Sequence, residues 1–228
     1  MKKLIIRNLK LRQSSLILYL ILLVISPIYH LFIDKNTMIG GFFYSIIAVI
    51  IMFISLFDCG NAFRLQFKLG GNKSYYFNHS LPFSAKEQTD AHYLTTVIMS
   101  LAGALILLCY YDIPASGEIN GVNMTTPLFF IAINLIGHAI AFPKCSEIRR
   151  DFIPYWGFVV VMNLIMPFVI TFVMFGVVRI TKPAKMTDSF INNFINGSGI
   201  LLLILSLAFF SFTYLKQLKR IKKAKQLH

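Results

Sequence analysis

Asn134 and His138 stand four residues apart in an otherwise apolar stretch, so on a helix an amide and an imidazole share one face. In a medium without water each of these groups needs a partner. The pair either satisfies itself and a neighbouring helix, or it lines a substrate path or a dimer face. Gly137 and Ala141 form a small-xxx-small pair that admits a second helix at close range. Asn163 with Pro167 marks a kink whose freed carbonyl is satisfied locally, and Asn163 is a third candidate for a path or dimer face. Asp58 is expected in water or paired with Arg64, and His30 at an interface. No catalytic constellation accompanies these residues: there is no H-E-x-x-H, no G-x-S-x-G and no carboxylate pair at membrane depth. Gly71-Asn72-Lys73-Ser74 resembles the end of a phosphate-binding loop but fails, with Asn72 where the glycine before the lysine is required. Cys59, Cys109 and Cys145 make neither a disulfide framework nor a C-x-x-C metal site. No catalytic residue, bound cofactor or metal is expected in this chain.

The best-defined local signal lies in His79–Leu94. Pro82 breaks the preceding segment. Ser84-x-x-Glu87 is a capping box, in which the serine oxygen accepts from the amide of residue 87 and the glutamate reaches back to the cap. A helix is therefore expected to start at Ser84 and run on through Tyr93, with Leu81 and Phe83 just ahead of it. This is either a neat beginning to a membrane helix or a docking knob for a partner.

The elements that must hold these residues follow from composition. Of 228 residues, 57% are apolar and only 14% charged, too little charge to cover a soluble surface; the mean hydropathy is +0.69. Disorder is excluded by the same apolar content. Six stretches suit a crossing of about 20 residues: Leu16–Ile33, Ile39–Phe57, Tyr93–Tyr111, Pro127–Phe142, Phe152–Val178 and Ile200–Leu215. Pro27 and Pro167 are expected to kink the first and fifth. The fold class is an all-α integral membrane protein with six transmembrane helices in one membrane domain spanning 1–228. The first stretch is no cleavable signal peptide, since it is long, follows basic and polar residues and lacks a small-residue cleavage site.

Orientation follows from the cations. Lys2, Lys3, Arg7, Lys10 and Arg12 precede the first span; Arg64, Lys68, Lys73 and Lys86 lie in the second loop; Lys144, Arg149 and Arg150 lie in the fourth. Lys216, Lys219, Arg220, Lys222, Lys223 and Lys225 follow the sixth span. Only Lys35, Arg179, Lys182 and Lys185 fall on the other side, so both termini are expected in the cytoplasm of a multi-pass cell-membrane protein. The net charge of +13 is thereby assigned to insertion and to anionic lipid rather than to nucleic acid. The first fifteen residues mix Leu4, Ile5, Ile6, Leu9 and Leu11 with five cations, the composition of an interfacial helix. Phe190, Ile191, Phe194 and Ile195 suit a short re-entrant or lid helix in the connection 179–199.

Leu81-Pro82-Phe83-Ser84-Ala85-Lys86-Glu87, followed by Tyr93-Leu94, resembles the segment between the second and third spans of ABC-2 type transporter permeases. The six-span layout, the basic N-terminal segment and the chain size match that family along essentially the whole length. One departure is visible: Asp90-Ala91-His92 stands where family members place a lysine shortly before Tyr-Leu. The resemblance implies a subunit without its own ATPase, paired with a second permease (identical or related) and with ATPase subunits that bind ATP and Mg. Leu81, Pro82, Phe83, Ser84, Lys86 and Glu87 would carry the ATPase contact. Within the family the chain looks most similar to permeases that export amphipathic, membrane-active peptides such as phenol-soluble modulins. The alternative is a membrane immunity or interaction protein that transports nothing.

Overall fold

The structure is a computed structural model that describes residues 1–32, 46, 80–110, 127–145, 155–181 and 188–226. All regular structure among these residues is helical: α1 (Lys2–Leu11), α2 (Gln13–Phe32), α3 (Ala85–Leu108), α4 (Pro127–Cys145), α5 (Tyr155–Val160), α6 (Met166–Thr181) and α7 (Asp188–Gln226), with a π-helical turn, Val161–Ile165, joining α5 to α6. Of the expected second span, 39–57, all but residue 46 lies outside the described residues, as do Asp58, Arg64 and the loop to residue 79.

The apolar side chains face outward. On α3, Leu94, Ile98, Leu101, Leu105 and Leu108 are exposed, each three or four residues from the last, while Thr95, Thr96, Ser100 and Gly103 are buried on the opposite face. The threonine hydroxyls there donate back to the preceding turn, Thr95 Oγ1 to Ala91 O at 2.6 Å and Thr96 Oγ1 to His92 O at 3.0 Å. Such local bonds satisfy hydroxyls that have no water to turn to. Phe168, Phe172 and Phe175 on α6 and Ile200, Leu201, Ile204 and Leu205 on α7 are likewise exposed. A water-soluble domain seldom exposes so much contiguous apolar surface, whereas helices in hydrocarbon need only their backbone satisfied internally. α3 and the Asn196–Lys223 part of α7 are each long and apolar enough to cross a membrane; α1 with α2 makes a third span if the bent pair is counted as one.

The bend between α1 and α2 is 75°. It sits at Arg12, whose amide bonds Leu9 O at 3.0 Å in a tightened last turn and whose φ of −99° and ψ of 16° leave the helical region. Pro27, by contrast, lies inside α2 without ending it. At Pro167 the expected irregularity is present in a specific form. Proline lacks the N–H that would bond the carbonyl four residues back, which is that of Asn163, and the π-helical turn is centred on that residue. Widened turns of this kind absorb a lost bond inside a helix.

The C-terminal part differs from the expectation. Residues 188–199 are not a separate re-entrant or lid helix but the first turns of α7, a single helix of 39 residues. It continues past Leu215 through the basic tail to Gln226. Nothing between Asp188 and Gln226 breaks it: Gly197 and Gly199 are tolerated inside the helix, and Phe129 of α4 would lie 3.2 Å from a Cβ on Gly199.

The core sits among α2, α3, α4 and α7. Tyr19 and Leu22 of α2 pack with Met99, Ala104 and Leu107 of α3, with Tyr110 just past its end, and with Phe130 of α4. Gly103 permits this: a Cβ there would lie 2.5 Å from Phe130 and 2.6 Å from the Tyr19 hydroxyl. The far end of α3 is pinned to α2, with Tyr110 Oη donating to Leu22 O and Ser26 Oγ to Cys109 O at 3.4 Å. Ala141 of α4 meets Phe158 and Met162, so the small-residue stripe read from the sequence does receive a close helix.

Candidate functional site

The start of α3 is built as the sequence predicts. Ser84 is the N-cap, with extended backbone at φ −64° and ψ 149°. Glu87 N donates to Ser84 Oγ at 3.2 Å, and Ser84 N donates to Glu87 Oε2 at 3.0 Å. Ser84 Oγ also donates to Glu87 Oε2, at 2.8 Å. These bonds hold the exposed carboxyl below the usual carboxylate range, since they favour its charged form. Ahead of the cap the chain folds back tightly, Phe83 N bonding Leu81 O at 2.8 Å. Gln88 Nε2 reaches back to Phe83 O at 3.1 Å. The turn 81–84 is thus tied to the first turn of α3 at several points. Pro82, Ser84, Lys86 and Glu87 are exposed, while Leu81 and Phe83 are half-buried.

Two turns further on, α3 becomes a junction of four helices. Asp90 Oδ1 accepts from Tyr214 Oη of α7 at 2.9 Å. Arg7 Nη2 of α1 lies 3.5 Å from His92 Nε2. Tyr93 donates to Thr213 Oγ1 of α7 at 3.2 Å, and its ring meets His138 of α4 edge-on at 4.5 Å between centroids. Phe210 and Tyr214 complete the ring cluster at 4.7 and 5.0 Å. Asp90, His92 and Tyr93 are consecutive enough to point at α7, α1 and α4 respectively, so the start of α3 cannot shift without moving all three neighbours. The lysine expected by resemblance is absent from this stretch, yet a cation reaches it from α1 in the form of Arg7.

Asn134 and His138 do share a face, as their spacing requires, and both are buried. Asn134 Nδ2 donates within its own helix to Phe130 O at 3.1 Å. His138 lies between Tyr93 and Phe210. The two side chains are therefore in the α3–α4–α7 core rather than on an outer surface. Asn163 lies in the π-helical turn. Arg7, Asn8, Asp90, His92 and Tyr214 were not among the residues singled out as a site. The partners Arg7 and His92 are 85 positions apart, and Asp90 and Tyr214 are 124 apart, beyond any spacing rule.

The model for the family described as "ABC-2 family transporter protein" matches residues 3–222. The chain belongs to the ABC-2 transporter family. Nearly the whole chain is covered, including the capped start of α3 and the long α7. Membership makes the chain the membrane subunit of a transporter, in a family whose membrane subunits are generally non-catalytic and work with an ABC ATPase. The outward-facing apolar helices agree with that placement in a membrane. No curated protein and no solved structure matches the chain.

Proposed function

We propose that this ABC-2 chain is the permease of an ATP-driven exporter of amphipathic, membrane-active peptides. Both termini face the cytoplasm, and Leu81, Pro82, Phe83, Ser84, Lys86 and Glu87 receive a separate ATPase that binds ATP and Mg. A second permease, identical or related, completes the pore. The observation that carries the reading is the continuity from the capped turn to the four-helix junction. A push on Phe83 or Pro82 is delivered through the reciprocal Ser84–Glu87 bonds to α3, and from Asp90, His92 and Tyr93 to α7, α1 and α4. Stiff elements bonded at both ends pass rigid-body motion where a flexible loop would dissipate it. Asn134 and His138 meet substrate only when α3, α4 and α7 part, which is the motion such a push produces. The widened turn at Asn163 provides a point where α5 and α6 can re-register. The cation asymmetry supports the orientation.

Co-purification of an ATPase with the chain, and its loss on Phe83→Ala or Glu87→Gln with membrane insertion unchanged, is the expected result. An ATPase that never associates, or that associates equally with both variants, refutes the contact. Stimulation of ATP hydrolysis by amphipathic helical peptides tests the substrate class, and no stimulation by several such peptides removes it. Normal export in cells lacking the chain would favour an immunity role instead.

A further inference from the structure

The α1 helix carries an arginine whose surroundings are unusual. Arg7 is half-buried, and burial pulls its pKa below the ordinary arginine value, with no carboxylate partner among the described residues. Its partners among the described residues are Asn8 Oδ1, at 3.4 Å from Nε and 3.2 Å from Nη2, and His92 Nε2 at 3.5 Å. His92 Nε2 accepts when the ring proton sits on Nδ1. Arg7 Nη1 is buried without a hydrogen-bond partner among the described residues. So is Nδ2 of Asn8, a side chain only 2% exposed. Two adjacent residues of one helix thus present buried donors with nothing among the described residues to accept from them. Arg12, also buried, adds to the positive character of the same corner.

A guanidinium withdrawn from water without a counter-charge is costly. Its forked donors match the oxygens of a phosphate. The neighbouring surface is apolar: Ile6 beside Arg7, and Leu16, Ile17 and Leu20 at the start of α2, are exposed. Lys3 and Lys10, on the same helix, are exposed. A cationic corner beside exposed apolar side chains suits an amphiphile with an anionic head better than a soluble ion.

We infer that Arg7 and Asn8 of α1, backed by His92 of α3, form a binding site for the phosphate of an anionic phospholipid, whose acyl chains lie along Ile17 and Leu20. A bound headgroup bridges α1 to the start of α3 and so sets the resting position of the junction described above. The inference rests on the reading of α1 as an interfacial helix at the cytoplasmic face.

The test is lipid retention by the full-length chain, extracted from mixed phosphatidylglycerol–phosphatidylcholine bilayers and measured by native mass spectrometry. Arg7→Gln is expected to lower retained phosphatidylglycerol about tenfold, the loss of one charge-assisted fork. Lys3→Gln, on the exposed side, leaves it unchanged. Asn8→Leu removes a donor without altering charge and lowers retention several-fold, which keeps the test decisive if Arg7→Gln folds poorly. Equal losses in Arg7→Gln and Lys3→Gln overturn the site in favour of diffuse attraction, and no loss in either Arg7→Gln or Asn8→Leu overturns it outright. Displacement of the lipid by excess inorganic phosphate overturns the lipid as the source. A nitroxide at Ile6 separates the two ideas: at headgroup depth with no Arg7 effect, the lipid site alone fails; in bulk water, the interfacial reading of α1 fails with it.

Discussion

Replacing Tyr93 separates what packing and hydrogen bonding each contribute to the junction. Tyr93→Phe removes the hydroxyl that donates to Thr213 Oγ1 at 3.2 Å. Thr213 keeps its own donation to Phe210 O at 2.9 Å, so no donor is stranded. The cost should sit near the average for interhelical hydrogen bonds in membranes, about 0.6 kcal/mol. Tyr93→Ala empties a space walled by His138, Phe210 and Tyr214 at 4.5 to 5.0 Å. The cavity and the lost ring pairs together should cost about 3 kcal/mol, the lower end for aromatic truncation, because surrounding lipid supplies no water-transfer term. The assay is reversible unfolding in mixed micelles of rising SDS fraction, with ATPase stimulation followed in parallel. Tyr93→Phe should retain most coupling and Tyr93→Ala should lose it while still binding the ATPase, since the turn 81–84 is untouched. Equal costs for the two variants would refute the packing account. A Tyr93→Ala cost below that of Tyr93→Phe would show that the four helices do not meet at this ring.

Gly103→Val should destabilise the chain by about 1–3 kcal/mol through overpacking against Phe130 and Tyr19. Gly176→Ala, with open space around its Cβ, should be neutral or stabilising by up to about 1 kcal/mol in the same assay. Ser84→Ala should cost about 1 kcal/mol at the helix start, visible as faster amide exchange at Glu87 and Gln88 with no change at Met99 or Leu107. Glu87 has a folded pKa below its ordinary 4.5, so its bonds to Ser84 are intact above that value and are lost as pH falls through the depressed one. ATPase association of the wild type should therefore be flat between about pH 5 and 8 and weaken only in stronger acid. A fall already at about pH 6 would show that another group governs the contact.

The parts legible in the sequence are those whose causes act over a few residues. The capping box places the start of α3 at the expected residue, because cap and glutamate lie within one turn of each other. The irregularity at Pro167 is equally local, although its form, a π-helical turn, comes from how the surrounding helix absorbs a missing donor. The lid expected at Phe190–Ile195 fails for a related reason. Polar flanks there read as the end of a membrane segment, but they carry no proline or cap to stop a helix, and α7 runs through them. Asn134 and His138 were placed on one face correctly, yet nothing local says which way that face points. On a helix that is apolar all round, the pattern marking an inner face in a soluble protein is nearly absent.

Composition and short-range spacing by themselves determined that the chain is a helical membrane protein, where its cations gather, and where α3 begins. The tertiary structure alone decided that Arg7 meets His92, that Tyr214 meets Asp90, and that Tyr93 gathers His138, Thr213 and Phe210 around one ring. The reason is the solvent. In hydrocarbon, outward and inward apolar side chains cost much the same, so helix faces are chosen by close packing and by the few polar groups that must find partners. Those partners are distant in the chain and come together only when the helices do.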